Sequence, residues 1–301
     1  MKDTIDIEVE GQRLQLSHLD KVLWPATGFT KAQMIDYYTR IAPVMLPHLA
    51  GHPVTLKRYP DGVDAGYFYE KECPAYHPDW VNTAMMPSRN VRQRVNFCVV
   101  DNAPTLVWLA NLASVELHTL LSTGEDLDTP TWIAFDLDPG PPAGVLDSAW
   151  AASRVREVLA DAGLESFAKV SGSKGVHVYV PVNGPATFEK TKGLAHAIAR
   201  QMEQQYPKRV TSMMRKDLRG GKVFVDWSQN DPHKTTVAAY SMRAREKPFV
   251  SAPVTWDELD EAVRHKHAEE LSFETWEVLK RVEDQGDLFA PVLKLKQKLP
   301  E

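Results

Sequence analysis

The sequence places two aspartates two residues apart at the end of a strongly apolar segment. Asp136 and Asp138 stand in the run FDLDPG, and alternate residues of a β-strand point to the same face. Two carboxylates held a few ångströms apart repel each other unless a cation lies between them. Hard divalent ions such as Mg²⁺ or Mn²⁺ prefer oxygen ligands of this kind. The spacing therefore predicts a metal site; the alternative is a strand that ends in two exposed acids.

A third carboxylate lies farther along the chain. Asp226 stands near the end of the β-forming run VFVDW. If that strand lies beside the strand of Asp136, Asp226 completes a site able to hold two metal ions. Two such ions stabilise the attacking and leaving oxygens of an in-line phosphoryl displacement. Taken alone, Asp226 is also consistent with a satisfied polar residue at a strand end.

A glycine-rich turn is predicted between the segments of Asp138 and Asp226, with the sequence SGSKG at positions 171–175. Its glycines permit close approach of the backbone to a ligand, and Ser171, Ser173 and Lys174 offer hydroxyl groups and a charge to phosphate oxygens. The turn does not match the Walker A pattern GxxxxGK[ST], and a strand rather than a helix follows it. A plain hairpin turn is the alternative. Three further residues are candidates, each of which could instead be structural: His118, His177 and Arg243.

Hydrophobic periodicity predicts the elements that position these residues, in an α/β (α+β) fold. We expect strands at 4–16 (a hairpin around Gly11), 54–59, 67–69, 95–100, 132–137, 167–170, 176–180, 222–227 and 236–240. We expect helices from Thr30 to about Pro43 or Pro47 and at 105–121, 146–162, 188–205, 256–265 and 273–283. Thr30 and Gln33 form a capping box at the first helix.

Composition excludes several classes of protein. The 301 residues are 43% hydrophobic and 25% charged, which excludes disordered and low-complexity chains. Two cysteines, outside any CxxC pair, cannot build a disulfide framework or a cysteine zinc site. No run of 18 apolar residues and no signal segment occurs. We therefore expect a soluble, cytoplasmic protein without a membrane partner.

The charge distribution is uneven, although the net charge is −5. Residues 205–247 contain ten Lys and Arg against four Asp and Glu, whereas residues 254–287 contain four against eleven. Ionic screening acts over about 8 Å at physiological salt, so the acidic segment need not cancel the basic one. The basic segment is compatible with a polyanionic partner, and two solvated faces are the alternative.

At these residues the chain resembles the polymerase domain of bacterial DNA ligase D (LigD), within the archaeo-eukaryotic primase superfamily. The matching stretches span almost the whole chain in the family's order. They are SHLDKVLWP (17–25), TLKRYPDGVD (55–64), YFYEK (67–71), FDLDPG (135–140), SGSKGVHVYVP (171–181), GGKVFVDWSQND (220–231) and YSMR (240–243). The resemblance implies a primase-like catalytic core of two small sheets flanked by helices, wrapped by an N-terminal module.

The resemblance also implies site residues. The metal ligands would be Asp136, Asp138 and Asp226, which would hold two Mn²⁺ or Mg²⁺ ions. The triphosphate contacts would be Ser171, Lys174, Arg243 and His118, with Ser173 in the same turn. The base-packing and sugar-facing residues would be Lys57, Phe68 and Tyr69. Lys21 and Lys31 match the ligands of a downstream 5′-phosphate, and His18 stands where the family usually has Asn. Lys31 follows the Thr30 cap, where free N–H groups and the helix dipole would favour an anion.

The activity implied is template-dependent addition of nucleotides, with ribonucleotides preferred, to primer ends at short gaps or double-strand breaks. Partners would be gapped or broken DNA with a 5′-phosphate, nucleoside triphosphates, Ku and a DNA ligase, in association with the nucleoid. We expect residues 1–301 to form one compact body, in which 1–125 are the N-terminal module and 126–301 the catalytic core with C-terminal acidic helices.

Two other functions account for part of the pattern. A DxD glycosyltransferase would use Asp136 and Asp138 to hold one metal and a sugar nucleotide, but it leaves Asp226 and the basic segment without a role. A non-catalytic module that binds DNA ends would use the basic segment alone.

Overall fold

Residues 4–87 and 93–300 are described by a computed structural model, in which helices are interspersed among groups of consecutive strands. The strands are β1 (Thr4–Val9), β2 (Gln12–Ser17), β3 (Val22–Trp24), β4 (Phe29–Thr30), β5 (Pro53–Arg58), β6 (Phe68–Glu70), β7 (Asn82–Pro87), β8 (Arg94–Val99), β9 (Ser114–Leu120), β10 (Trp132–Pro139), β11 (Phe167–Val170), β12 (Val176–Pro181), β13 (Val210–Thr211), β14 (Val223–Asp226), β15 (Thr235–Val237), β16 (Met242–Ala244), β17 (Pro248–Val250) and β18 (Pro253–Val254). The helices are α1 (Lys31–Leu49), α2 (Ala103–Asn111), α3 (Val145–Asp161), α4 (Phe188–Gln205), α5 (Trp256–His265), α6 (Thr275–Gln285) and α7 (Pro291–Lys294). Within these residues, no helix is long and apolar enough to cross a membrane.

The predicted metal ligands lie on a six-stranded sheet, sheet I, with the order β13-β14-β10-β12-β11-β18. Neighbouring strands are antiparallel except for the parallel pair β13 and β14. Helices α3 and α4 pack against this sheet. The central strand β10 is buried at five of its eight positions, which explains why its sequence is apolar on both faces until the aspartates begin.

A second sheet, sheet II, has the order β15-β9-β5-β8-β7, with β6 paired to β5. Strand β15 comes from the second half of the chain, whereas the other strands come from the first. One hydrophobic core extends from Leu14 to Leu299 across both sheets. The two halves therefore share both a sheet and a core, and the division at residue 125 stays a prediction.

Helix α1 confirms the predicted start and corrects the predicted end. The Thr30 and Gln33 capping box is present, but the helix continues to Leu49 through Pro43 and Pro47. Both prolines are exposed. The carbonyl groups of Thr39 and Pro43, which lose a helical hydrogen bond to these prolines, belong to exposed residues and are therefore accessible to solvent. The buried face of the helix is uninterrupted, so packing carries it past the expected stop.

The helix predicted at 105–121 is wrong beyond its first half. Helix α2 ends at Asn111, the chain turns at Ala113 with a left-handed φ of 57°, and residues 114–120 form β9. Strand β9 lies between β15 and β5 and is buried on both faces. No Gly or Pro separates the helix from the strand between Thr105 and Leu121, and the alternation of apolar residues in β9 is too short to identify the strand by periodicity.

Several short elements were not anticipated. The strands β3, β4, β7, β13, β16, β17 and β18 are additions to the predicted set. The structure also joins Cys73 to Cys98 in a disulfide, which links the segment after β6 to β8. The sequence gives no indication that these two cysteines pair, because they lie 25 residues apart and outside any recognised motif.

An asparagine side chain extends the edge of β10 where its neighbour β14 turns away. The Oδ1 of Asn230 accepts a hydrogen bond from the Ala134 amide at 2.9 Å, and its Nδ2 donates to the Ala134 carbonyl at 2.8 Å. Asn230 is fully buried. It thus satisfies the backbone of β10 two residues before Asp136, as another strand would.

We expect Asn230→Ala to lower the free energy of unfolding by about 2–3 kcal/mol, because a buried amide and carbonyl lose their partners. Urea denaturation measures this change. Asn82→Ala, at an exposed asparagine, is the matched control and should change stability by less than about 0.5 kcal/mol. Equal effects in the two variants would contradict this role of Asn230.

Candidate active site

A row of four ionisable side chains crosses sheet I. Asp136 on β10 lies opposite Asp226 on β14 and opposite His177 on β12, and His177 lies opposite Lys169 on β11. Residues directly opposite one another in antiparallel strands point to the same face. Asp138, two residues after Asp136, shares that face. The structure therefore brings the three predicted carboxylates together on neighbouring strands.

A cavity of about 730 Å³ lies over this row, with walls from both sheets. Nine of the residues singled out in the sequence line it: Tyr69, His118, Asp136, Asp138, Ser171, Ser173, Lys174, His177 and Arg243. Further lining residues with polar side chains include Thr55, Lys71, Lys216, Arg219 and Gln229. Six predicted residues lie outside its lining: His18, Lys21, Lys31, Lys57, Phe68 and Asp226.

The three carboxylates on this face of sheet I, those of Asp136, Asp138 and Asp226, are close enough for their charges to interact. The negative charge of Asp136, followed by burial and the charge of Asp226, raises the pKa of Asp138 to about 7. Burial would raise the pKa of Asp136 too, but the hydrogen bond from His177, with the positive charges of Lys169 and Arg243, brings it below its ordinary value. The Nε2 of His177 lies 3.2 Å from Oδ1 of Asp136. The row therefore holds more negative charge than its surroundings neutralise.

Neutral donors occupy part of the space around these carboxylates. Gln229 Nε2 lies 3.3 Å from Oδ2 of Asp226 and 3.5 Å from Oδ2 of Asp136, and the Ser228 amide donates to Oδ1 of Asp226 at 2.9 Å. In the described part of the chain, no three His, Cys, Asp or Glu side chains form a ready metal cage. The amide groups of Gln229 and Ser228 donate hydrogen bonds to the carboxylate oxygens but leave their negative charge in place. The carboxylate oxygens of the three aspartates therefore still fit a hard divalent cation.

The turn between β11 and β12 has a backbone that requires glycine. Gly172 has a left-handed φ of +68°, and a Cβ there would lie 2.7 Å from the Val250 carbonyl oxygen. The Oγ of Ser171 accepts from the Gly175 amide at 3.2 Å, and Arg243 Nη1 donates to the Ser171 carbonyl at 2.9 Å. These contacts fix the turn against the floor of the cavity.

The same turn presents polar groups beside the carboxylates. A Cβ at Gly175 would lie 3.6 Å from Oδ1 of Asp138, so the turn is in contact range of the row. Lys174 is exposed, and Ser173 accepts a hydrogen bond from Arg245. An anion in this part of the cavity would meet a lysine, a hydroxyl and an arginine on one side and the acidic row on the other.

Glu116 on β9 connects several of the predicted cations. It is 2% exposed; its Oε2 lies 2.9 Å from Nε2 of His118 and 3.4 Å from Nε of Arg243, and its Oε1 lies 3.4 Å from Nζ of Lys57. Burial would raise the pKa of Glu116, but these three partners hold it at about 2. Burial also lowers the pKa of His118. A permanently ionised carboxylate therefore orients His118, Arg243 and Lys57.

The aromatic residues of β6 lie on both faces of their ladder. Tyr69 is paired with Lys57, and Phe68 with Arg58, so Tyr69 faces the cavity side and Phe68 the opposite side. The Nζ of Lys57 lies 4.1 Å from the centre of the Tyr67 ring, and the Arg58 guanidinium lies 5.2 Å from that of Phe68. Phe68 and Tyr69 are 43% and 56% exposed. Both rings are accessible, on different faces.

The predicted 5′-phosphate residues lie together near the start of α1. His18 has a left-handed φ of 53°, and the Lys21 amide donates to its carbonyl at 3.1 Å. Lys21 Nζ pairs with Asp61 at 2.9 Å. Lys31 is 5% exposed, and its Nζ donates to the Ser17 carbonyl at 2.6 Å. The segment 17–21 and the helix start thus form one small cationic cluster.

The helix start does not offer free N–H groups, which corrects the sequence analysis. The Lys31 and Ala32 amides donate to the carbonyls of Lys21 and Leu19, each at 2.9 Å, and the Gln33 amide donates to the Thr30 hydroxyl at 3.3 Å. The segment 17–21 crosses the helix start and uses the donors that an anion would otherwise meet. Any attraction to an anion must come from the side chains and the dipole.

The side chains of this cluster repel one another. Burial, with the positive charges of Lys21 and Arg58, lowers the pKa of Lys31 to about 8. A bound anion would reverse that effect because it stabilises the protonated lysine. The arrangement of these side chains therefore favours an anionic ligand at the cluster.

Sequence reasoning missed three residues of the site and left a fourth undecided. Glu116 was hidden in the segment assigned to a helix; as a strand, the spacing of Glu116 and His118 predicts one shared face. Gln229 follows Asp226 by three residues, but nothing in the sequence indicates that a 3-10 turn at Trp227–Gln229 returns its amide to the aspartates. Arg219 lines the cavity from the basic segment that was recognised only by its charge. His177, undecided until now, is buried beside Asp136.

The chain matches known proteins over most of its length. The profile of the family described as LigD, primase-polymerase domain, matches residues 30–289. The multifunctional non-homologous end joining protein LigD of Mycolicibacterium smegmatis is 44% identical over 284 residues, which are 93% of this chain and 36% of that protein. The bifunctional non-homologous end joining protein LigD of Bacillus subtilis is 31% identical over 252 residues, which are 83% of this chain and 40% of that protein.

A solved structure agrees in fold and in extent. The polymerase domain of Mycobacterium tuberculosis ligase D, determined in complex with DNA, superposes with a TM-score of 0.86 at 42% identity and covers 94% of this chain and 98% of its own. The chain thus spans a little over a third of the full-length relatives but nearly all of this one domain. From the profile, the relatives and the fold together, the chain belongs to the LigD primase-polymerase domain family, and with it to the nucleotidyltransferases.

Proposed function

We propose that this chain is a template-dependent DNA-repair polymerase that adds nucleotides to primer ends at short gaps or double-strand break ends. The observation that carries the proposal is the arrangement of one cavity: Asp136 and Asp138, with Asp226 opposite Asp136, lie beside the turn at 171–175. Acids able to hold cations, next to groups able to hold phosphates, are the parts that phosphoryl transfer from a nucleoside triphosphate requires.

Asp136, Asp138 and Asp226 would hold two divalent cations, Mn²⁺ or Mg²⁺. Their oxygens suit hard ions, and the raised pKa of Asp138 reflects repulsion that added positive charge would relieve. Such cations, when bound, lower the pKa of the primer 3′-hydroxyl and stabilise the leaving pyrophosphate. The protein's own part is to hold the carboxylates in place, with His177 and Gln229 in contact with Asp136.

The triphosphate would lie against the turn between β11 and β12. Lys174 is exposed there, and the hydroxyls of Ser171 and Ser173 line the same cavity as Arg243 and His118. Charged donors on phosphate oxygens make hydrogen bonds about twice as strong as neutral ones. The buried carboxylate that orients the arginine and the histidine keeps both donors in position before the nucleotide arrives.

The base and sugar would be bound from the side of sheet II. Tyr69 is exposed beside the cavity and offers a stacking surface, which every base can use. Lys57 lies on the same face of the ladder. Phe68 lies on the other face, where it would contact a neighbouring part of the DNA rather than the incoming nucleotide. A polar partner for the 2′-hydroxyl in this pocket would favour ribonucleotides.

Gapped or broken DNA would be recognised partly through its 5′-phosphate at Lys21 and Lys31, with His18 beside them. Burial, with the positive charges of Lys21 and Arg58, lowers the pKa of Lys31, and a doubly charged anion would relieve the repulsion among these cations. A terminal phosphate carries a charge that a hydroxyl end lacks. The Mycobacterium tuberculosis domain was solved with DNA, which supports a DNA-binding role.

The names of the relatives support a role in non-homologous end joining, with Ku and a DNA ligase as partners. Because the chain spans only 36–40% of those relatives, ligation would be supplied by another domain or protein. The DxD glycosyltransferase alternative explains Asp136 and Asp138 alone, whereas Asp226 pairs with Asp136 in one sheet. Family membership does not favour that alternative or a non-catalytic module.

We expect Asp136→Ala, Asp138→Ala and Asp226→Ala each to abolish Mn²⁺-dependent primer extension without loss of the fold. Asp138 has a pKa of about 7 in the folded chain and about 4 when unfolded, so the metal-free protein loses stability as the pH rises through this interval. Asp138→Asn removes that loss. At pH 8 its free energy of unfolding should equal or exceed that of the wild type.

Primer extension and urea denaturation at pH 5 and pH 8 measure the two effects. Asp161→Asn, at an exposed aspartate that ends α3, is the control and should change neither. Normal extension by the Asp226→Ala protein would remove that residue from the site.

Ribonucleotides should be incorporated severalfold faster than deoxynucleotides in single-turnover assays. A net hydrogen bond to the 2′-hydroxyl contributes about 0.5–1.5 kcal/mol, and the deoxy sugar leaves its partner unpaired. A 2′-fluoro nucleotide, which cannot donate, should behave like the deoxynucleotide. Equal or faster use of deoxynucleotides would contradict the proposed sugar pocket.

Removal of the 5′-phosphate from gapped DNA should lower affinity about tenfold or more at pH 7, since charge-assisted hydrogen bonds contribute about 1.5–3 kcal/mol each. Lys21→Ala or Lys31→Ala should give the same loss and make the phosphate irrelevant, with normal extension on an open primer-template. Lys31 loses its proton as the pH rises through about 8. The phosphate-dependent part of the affinity should therefore shrink between pH 7 and pH 9.

Fluorescence anisotropy on matched duplexes with and without the phosphate measures this difference. Lys266→Ala, at an exposed lysine that ends α5, controls for general loss of positive charge. If the wild type binds both duplexes equally at pH 7, the two lysines do not read the phosphate.

A further inference from the structure

Lys169 is a fully buried lysine that none of the roles above uses. It lies on β11 at the end of the ionisable row, directly opposite His177, and its side chain has no exposed surface. Burial lowers its pKa well below the ordinary value. A lysine is rarely buried unless its nitrogen has partners that repay the loss of water, so its contacts indicate what it does.

The nitrogen of Lys169 has two partners whose protons can be assigned. It lies 2.7 Å from Oγ of Ser251 and 3.1 Å from Nδ1 of His177. The Ser251 hydroxyl donates to the Val170 carbonyl at 3.0 Å, so its oxygen accepts from Lys169. An ammonium group has three N–H donors and no acceptor, so the charged form of Lys169 also donates to Nδ1 of His177.

A donor at Nδ1 decides the state of the imidazole. A neutral histidine carries one proton, and a nitrogen that accepts a hydrogen bond is the one without it. The proton of His177 is then on Nε2, which lies 3.2 Å from Oδ1 of Asp136. The His177 ring lies nearly parallel to the ring of Tyr179, at 14°, with the ring centres 6.3 Å apart.

We propose that Lys169 is a positioning residue that, through His177, holds Asp136 in the orientation needed to bind the metal ions. The proposal rests on the proposed function, since it assigns those ions to the carboxylate row. A chain of hydrogen bonds runs from Lys169 through His177 to Asp136. Groups that hydrogen-bond to metal ligands fix their orientation, and loss of one such group typically weakens metal binding 10- to 100-fold.

The first test measures binding of Mn²⁺ alone, without DNA or nucleotide, from the electron paramagnetic resonance of the free ion. In Lys169→Met the apolar chain is kept and the donor is removed. Its Mn²⁺ affinity should fall about tenfold or more, while urea denaturation shows a folded protein. Ser251→Ala is the matched control: it removes the other partner of Lys169 but leaves the contact with His177, so its affinity should stay within about twofold.

The second test reads the imidazole in the wild type and needs no stable variant. Long-range ¹H–¹⁵N correlation spectra of protein labelled at histidine, with the His177 signals assigned through His177→Gln, show which ring nitrogen carries the proton. The proposal requires a protonated Nε2 and a bare Nδ1. In Lys169→Met the spectrum should show a mixture of tautomers or the opposite one.

Two results would overturn the proposal. One is a protonated Nδ1 in the wild type; the other is Lys169→Met with unchanged Mn²⁺ affinity and an unchanged tautomer, which would leave Lys169 a purely structural residue. If wild-type protein and Asp136→Ala bind Mn²⁺ equally weakly, the proposed function fails at the carboxylates. That failure is distinct, because the tautomer of His177 still reports on Lys169.

Discussion

The antiparallel register of β10 with β14 sets Asp136 directly opposite Asp226, and the alternation along β10 adds Asp138 to the same face. Repulsion among these carboxylates is the constraint on which the rest of the cavity depends. It raises the pKa of Asp138 to about 7, and neighbouring donors offset only part of it. The surrounding sheet must therefore be stable enough to hold charges together that would otherwise separate, which the fully buried core of β10 provides.

The opposite wall has the reverse arrangement of charge. There a single buried carboxylate, Glu116, is in contact with His118, Arg243 and Lys57, and its pKa of about 2 shows that cations dominate. A cavity with an acidic floor and a basic wall is complementary to a polyphosphate accompanied by divalent cations. This local separation of charge is compatible with the proposed action on nucleic acid despite a net charge of −5.

The parts of the site that could be predicted from the sequence depend on local rules. Alternation along one strand places Asp136 and Asp138 together, and a β-forming run identified the strand of Asp226. Partners that meet through tertiary contacts could not be predicted. Gln229 reaches the aspartates through a short 3-10 turn, and Glu116 lies on a strand that follows α2 without a Gly or Pro to mark the boundary.

Tertiary contacts also decide where helices begin and end, and these contacts could not be predicted from the sequence. Pro43 and Pro47 are helix-breaking residues by local rules, yet α1 passes both because they face solvent. The start of α1 has a capping box, as the sequence predicts, but its amide groups are used by the segment 17–21. In both places the outcome depends on what lies next to the helix, which one sequence does not contain.

The central claim is that the three aspartates form one site for two cations next to a triphosphate. The most direct test is the number of Mn²⁺ ions retained per chain, measured by equilibrium dialysis with a non-hydrolysable ribonucleoside triphosphate. We predict two Mn²⁺ ions and one triphosphate for the wild type and fewer ions for the double variant Asp136→Asn, Asp226→Asn. The same number of ions in both proteins would contradict the claim.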